Sequence, residues 1–189
     1  MLVAAAMMVF GVAIVAAISQ RTGLRVGGVM VVPLVAVYTF REPWTPVVFL
    51  VGWAAGFAAL YAIREFTLQY GREPLLVAIG VGAFASIVAV LLLDRLVTTT
   101  LTFRDAEIVG SIFPGIAAYN VMRVDSGRRR LDILVAVGTY LAVIAIGIVG
   151  LFAAASFEPS VPPIIFGDGV PAVDFFGLEA PRGRFPRSV

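Results

Sequence analysis

Two apolar stretches of this chain are interrupted at their centres by the residues that helices tolerate least. Residues 109–120 read V-G-S-I-F-P-G-I-A-A-Y-N, and residues 27–38 read G-G-V-M-V-V-P-L-V-A-V-Y. A proline inside a helix removes one backbone hydrogen bond and clashes with the preceding turn. In lipid such a break is tolerated only where protein or a water-lined cavity satisfies the freed groups. The two stretches share one grammar. Glycine lies upstream of a proline that follows a bulky apolar pair, Val31-Val32 or Ile112-Phe113, and a tyrosine follows five residues later, at Tyr38 and Tyr119. Each lies between two long apolar runs, so the chain reads as a weak internal repeat with halves at about residues 1–63 and 75–155.

The surroundings make lipid the expected solvent. Of the 189 residues 60% are hydrophobic and only 14% are charged, against about a quarter in a soluble domain. There is no cysteine and no histidine, which excludes disulfides, thiolate metal sites and His-based chemistry. No metal site and no cofactor is expected. A net charge of +2 with arginines confined to loops makes nucleic-acid binding a poor reading.

Residues 1–19 are an almost unbroken apolar run. They lack the basic leader of a secretory signal, and Arg21 and Arg25 follow the run. This fits a first span with its N-terminus outside. Residues 44–63, 75–93 and 131–155 are further full spans. Small residues on the first of these (Gly52, Ala54, Ala55, Gly56, Ala58, Ala59) would let another helix approach closely. The broken stretches are near the short limit of the roughly 17–25 residues that a span needs. If both cross, there are six spans in two inverted halves, as in many transport folds. If both re-enter, there are four. The excess of arginine satisfies the positive-inside rule either way, and both versions place the two termini outside. They differ in where residues 64–73 lie. The tight Thr22-Gly23 connector favours six. The expected fold is therefore an all-α, multi-pass plasma-membrane protein of about six segments. Residues 156–189, where prolines recur, form an irregular extracytoplasmic tail.

The candidate site is built from the breaks. Gly27, Gly28 and Pro33 in one half, with Gly110, Ser111, Pro114 and Gly115 in the other, would start two half-helices at membrane depth. A helix N-terminus carries about half a positive charge and attracts carboxylates. Tyr119 and Asn120 could hydrogen-bond amides of a polymer. The competing reading is two kinked helices packed through small residues, with Tyr119 and Asn120 bonding across helices. Arg64, Glu65, Arg72 and Glu73 read as a solvated, partly paired connector, or else as a docking surface for a partner subunit. Arg123, Arg128, Arg129 and Arg130 offer guanidiniums that hold carboxylates bidentately or dock an acidic partner. The same arginines also serve as an orientation signal. No acidic or basic residue lies in the middle of the three unbroken spans, which argues against a proton-driven pump.

Three segments carry a family resemblance. Residues 22–33, T-G-L-R-V-G-G-V-M-V-V-P, resemble the T-G-x-x-x-G/A-G-x-x-V-P region of the CapC/PgsC family, membrane subunits of poly-γ-glutamate capsule synthesis. Gln69-Tyr70-Gly71-Arg72 is similar to its Y-G-R motif, and residues 112–120, I-F-P-G-I-A-A-Y-N, to its I-V-P-G-L-I-A-N motif. The three stand in the right order over roughly residues 1–152. Leu34, Glu73 and the position of Asn120 depart from the family pattern. The resemblance implies a non-catalytic membrane subunit that accompanies an ATP-dependent, Mur-ligase-like amide ligase and other capsule synthase subunits, and that assists export of the anionic polymer. The chain itself has no G-x-x-x-x-G-K-[ST] phosphate loop and no lysine, so ligation by this chain alone is not expected. A stand-alone small-solute transporter built from inverted repeats is the alternative.

Overall fold

The computed structural model describes residues 2–41, 43–66, 73–97 and 112–157. Gly110, Ser111, Arg72 and the tail from residue 158 lie outside the described residues. Within them the chain is all-helical. It comprises α1 (Leu2–Thr22), α2 (Val31–Arg41), α3 (Thr45–Phe66), α4 (Glu73–Val97), α5 (Phe113–Met122) and α6 (Arg129–Phe157).

Four of these helices are long and apolar enough to cross a membrane: Val3–Thr22, Thr45–Phe66, Glu73–Leu93 and Arg129–Ala153. Their outer faces carry large exposed side chains such as Phe10, Leu50, Phe84, Leu134 and Phe152. In water that surface would be a liability, whereas in lipid it is the solvated face. At 1.5 Å per residue, α2 and α5 are only about 15 Å long, half of a bilayer's hydrocarbon core.

The interruptions fall where the sequence places them. In α5 the proline, Pro114, sits in the first turn, behind an N-cap residue, Ile112, that makes no side-chain cap. In α2, Pro33 is the third helical residue. Proline is least costly in a first turn, where its missing N–H would have no helical partner in any case. At the end of α1, Gly23 takes a left-handed φ of 70° and donates its N–H to the Ser19 carbonyl at 2.9 Å. This is an αL helix stop.

The short helices are wedged between long ones. α2 packs on α1 and α6, and α5 packs on α3 and α4. Glycine makes both contacts possible. A Cβ on Gly11 would stand 2.7 Å from Pro33 Cβ. A Cβ on Gly115 would stand 2.5 Å from the Ala78 carbonyl oxygen and would also strike Ile79 Cα. Beside them, a Cβ on Gly52 would collide with the fully buried Ser86 hydroxyl and come within 3.0 Å of Pro114 Cβ. Gly56 lies against Ala118 one turn along, so α5 runs parallel to α3, towards the end that carries Arg64.

Candidate functional site

The loop between α1 and α2 has an unusual backbone. Val26, Gly27 and Gly28 all have positive φ, at 49°, 66° and 119°. For a β-branched residue such as Val26 this conformation is strained and persists only where surrounding contacts over-determine it. Asp132, in the first turns of α6, supplies those contacts. Its Oδ1 accepts the N–H of Arg25 and the N–H of Val26, each at 2.8 Å. The side chain is fully buried, and its Oδ2 has no partner among the described residues. The other side of the loop is tied to α5, because Asn120 Nδ2 donates to the Gly27 carbonyl at 3.3 Å. The two broken segments are thereby joined directly, although they are 93 residues apart.

Two concavities flank this tie. The first is an apolar crevice of about 260 Å³ between α2, α3, α5 and α6, with Gly27, Val31, Val35, Trp53, Ala117 and Tyr140 on its walls. Tyr140 turns its hydroxyl away to Thr39, 3.0 Å distant. The second is a polar cleft of about 540 Å³ at the end of the bundle, between the last turns of α3 and the α5–α6 turn. Arg64 and Glu65 line it from α3, and Arg123, Asp125, Ser126 and Arg129 line it from the turn. Arg129 is fixed there, donating from Nε to the Val124 carbonyl and from Nη2 to the Met122 carbonyl, both at 3.1 Å. Arg123 stacks over the Tyr119 ring, 5.6 Å from its centroid.

The site residues expected from sequence therefore separate into three places. Gly27, Gly28 and Asn120 come together at the loop tie. Pro33, Pro114 and Gly115 are buried in helix–helix contacts, so their immediate surroundings are the packing alternative rather than an open cavity. Arg123 and Arg129 line the polar cleft, with Tyr119 beneath Arg123, while Arg128 and Arg130 are exposed outside it. Asp132 was missed. Its signal was a single carboxylate inside an apolar run directly after three arginines. Arg64, at the start of the charged connector, is exposed and lines the cleft opposite the basic turn.

A family profile described as "Capsule biosynthesis CapC" matches residues 10–130, a stretch that holds the α1–α2 loop, both broken segments and all of the polar cleft. No curated protein and no solved structure is significantly similar to the chain. The profile covers well over half of the sequence, and the chain belongs to the capsule biosynthesis CapC family.

Proposed function

We propose that this protein is the non-catalytic membrane subunit of a poly-γ-glutamate-type capsule synthase. It anchors an ATP-dependent, Mur-ligase-like amide ligase at the basic end of its helix bundle and assists passage of the anionic polymer. The observation that carries the proposal is the CapC match over residues 10–130, on a chain whose described residues form apolar helices of spanning length. Membership of the family supports a part in capsule biosynthesis, and the charged end of the bundle gives that part a surface to work through.

The apolar crevice bears on how a polyanion would be handled. Its walls are valine, alanine, phenylalanine and tryptophan, and an unpaired carboxylate moved into such surroundings loses far more solvation than it regains. A polyglutamate chain would therefore pass along an interface between this chain and another subunit, or between copies of it, rather than through this bundle. Pro33, Pro114 and Gly115 would contribute by fixing the tilt of the half-helices at that interface.

The test is deletion of the gene followed by complementation. Secreted polymer should vanish on deletion and return with the intact chain, and the tagged protein should co-purify with an ATP-dependent amide ligase. Full polymer secretion by the deletion strain would end the proposal. Uptake or efflux of a small solute by the purified chain in liposomes would favour the transporter reading instead.

A further inference from the structure

We propose that the polar cleft between α3 and the α5–α6 turn binds carboxylates of a γ-linked glutamyl chain. The site deepens the functional reading above and rests on it. At about 540 Å³ the cleft falls within the roughly 300–1,000 Å³ typical of ligand pockets. Three guanidiniums face it from two elements: Arg64 from α3, and Arg123 and Arg129 from the turn. None of them is closed off by an ion pair to Glu65 or Asp125 among the described residues.

The three arginines are not equivalent. Arg129 spends two donors on carbonyls, that of Met122 at the end of α5 and that of Val124 in the turn just beyond, where it offsets the negative end of that helix. Arg123 is held over Tyr119, which fixes its position and leaves its fork of N–H groups available. Arg64 is exposed on the opposite wall. Arg64 and Arg123 are thus a facing pair whose planar donors suit carboxylates bidentately.

The acidic residues narrow the ligand class. Glu65 and Asp125 share the walls and would repel a compact, multiply charged phosphate. They would accept hydrogen bonds from amide N–H groups. A γ-linked glutamyl chain offers both, a free α-carboxylate and an amide N–H on each residue, so each sign of charge in the cleft has a partner on the ligand.

The experiment uses the full chain, purified into nanodiscs of phosphatidylcholine, with a fluorescent oligo-γ-glutamate as probe and anisotropy as readout. Binding is expected, and Arg64→Gln and Arg123→Gln should each weaken it about tenfold or more, the scale of a lost charge-assisted contact. Arg21→Gln, at the exposed end of α1 and outside the cleft, should leave it unchanged. Unaltered melting temperatures for the two cleft variants would confirm that they are folded. An equal loss with Arg21→Gln would replace the site by a diffuse basic face and overturn the proposal. So would an absence of oligomer binding together with binding of phosphatidylglycerol that depends on Arg64 and Arg123, because the cleft would then be a headgroup site. If the oligomer fails to bind while deletion of the gene still abolishes capsule, the cleft is wrong and the functional reading stands. If the deletion strain makes normal capsule, the functional reading is wrong whatever the cleft binds.

Discussion

Asp132 holds the α1–α2 loop with one oxygen. Oδ1 takes both backbone N–H groups, and Oδ2 is buried without a partner among the described residues. The two halves of this carboxylate should therefore respond differently to substitution. Asp132→Ala leaves the buried Val26 N–H and the part-buried Arg25 N–H without their acceptor, and a buried group so orphaned costs about 1–3 kcal/mol. It also releases the strained Val26 conformation. Asp132→Asn keeps an acceptor oxygen and removes a charge from a buried position. The alanine variant is expected to lower the melting temperature of the detergent-solubilised protein sharply, and the asparagine variant to remain close to wild type. Equal damage from both would mean that the charge, not the acceptor geometry, holds the loop. Asn120→Ala should cost less, roughly 0.6 kcal/mol and at most about 1.7, the range measured for hydrogen bonds between membrane helices. None of this was legible in the sequence. The partners of Asp132 are main-chain amides 106 and 107 residues away, and a main-chain amide carries no residue signature. Asn120 was legible as a polar residue in a broken helix, but not as the donor to Gly27.

At the scale of the element, the positions of the two breaks were readable because proline and glycine act locally. α2 begins two residues before Pro33, and α5 begins one residue before Pro114. What those residues touch depends on which helix lies opposite, and sequence spacing does not encode that. Gly115 is the sharpest case. Its missing side chain lets α5 rest on the backbone of α4 at Ala78 and Ile79, and neither residue stands out in the sequence. A methyl group there meets main chain, which cannot move aside as a flexible side chain would. Gly115→Ala is therefore expected to destabilise by about 1–3 kcal/mol, the usual cost of overpacking, and Gly115→Leu to separate α5 from α4. Gly80, next to Ile79 but on the exposed face of α4, and Gly138 in α6 have nothing among the described residues within 4 Å of an added Cβ. Alanine at either should be neutral or stabilise by up to about 1 kcal/mol through helix propensity. Thermal melts of the three alanine variants check this. A Gly115→Ala protein as stable as Gly80→Ala would show that α5 does not seat on α4 as described.

At the scale of the whole molecule, the helices of the described residues sort into two groups of three. α1, α2 and α6 pack together, as do α3, α4 and α5. Exchanging α1 with α4, α2 with α5 and α3 with α6 turns one group into the other, the relation that an inverted repeat would produce. The polar cleft adds a constraint on topology. Arg64 and Glu65 at the end of α3 line the same cavity as Arg123 and Arg129, and Arg25 donates to Asp132 just beyond them. A four-span arrangement puts residues 64–73 on the opposite side of the membrane from the turn at 123–130, whereas a six-crossing arrangement puts them on one side. We propose the six-crossing arrangement, in which both walls of the cleft lie on one side. The same end collects Arg21, Arg25, Arg64, Arg123, Arg128, Arg129 and Arg130, while Arg95 closes α4 at the other, and on that proposal the positive-inside rule would put the arginine-rich end in the cytoplasm. Because the chain has no cysteine, single introduced cysteines report their side without background. Gln20→Cys, Glu65→Cys and Ser126→Cys are expected to resist a membrane-impermeant maleimide in intact cells and to react once the cells are opened. Pro43→Cys, exposed at the start of α3, should react in intact cells. If Glu65→Cys reacts from outside while Ser126→Cys does not, the two walls of the cleft lie on opposite faces of the membrane, and both the six-crossing topology and the glutamyl site built on those walls fall together.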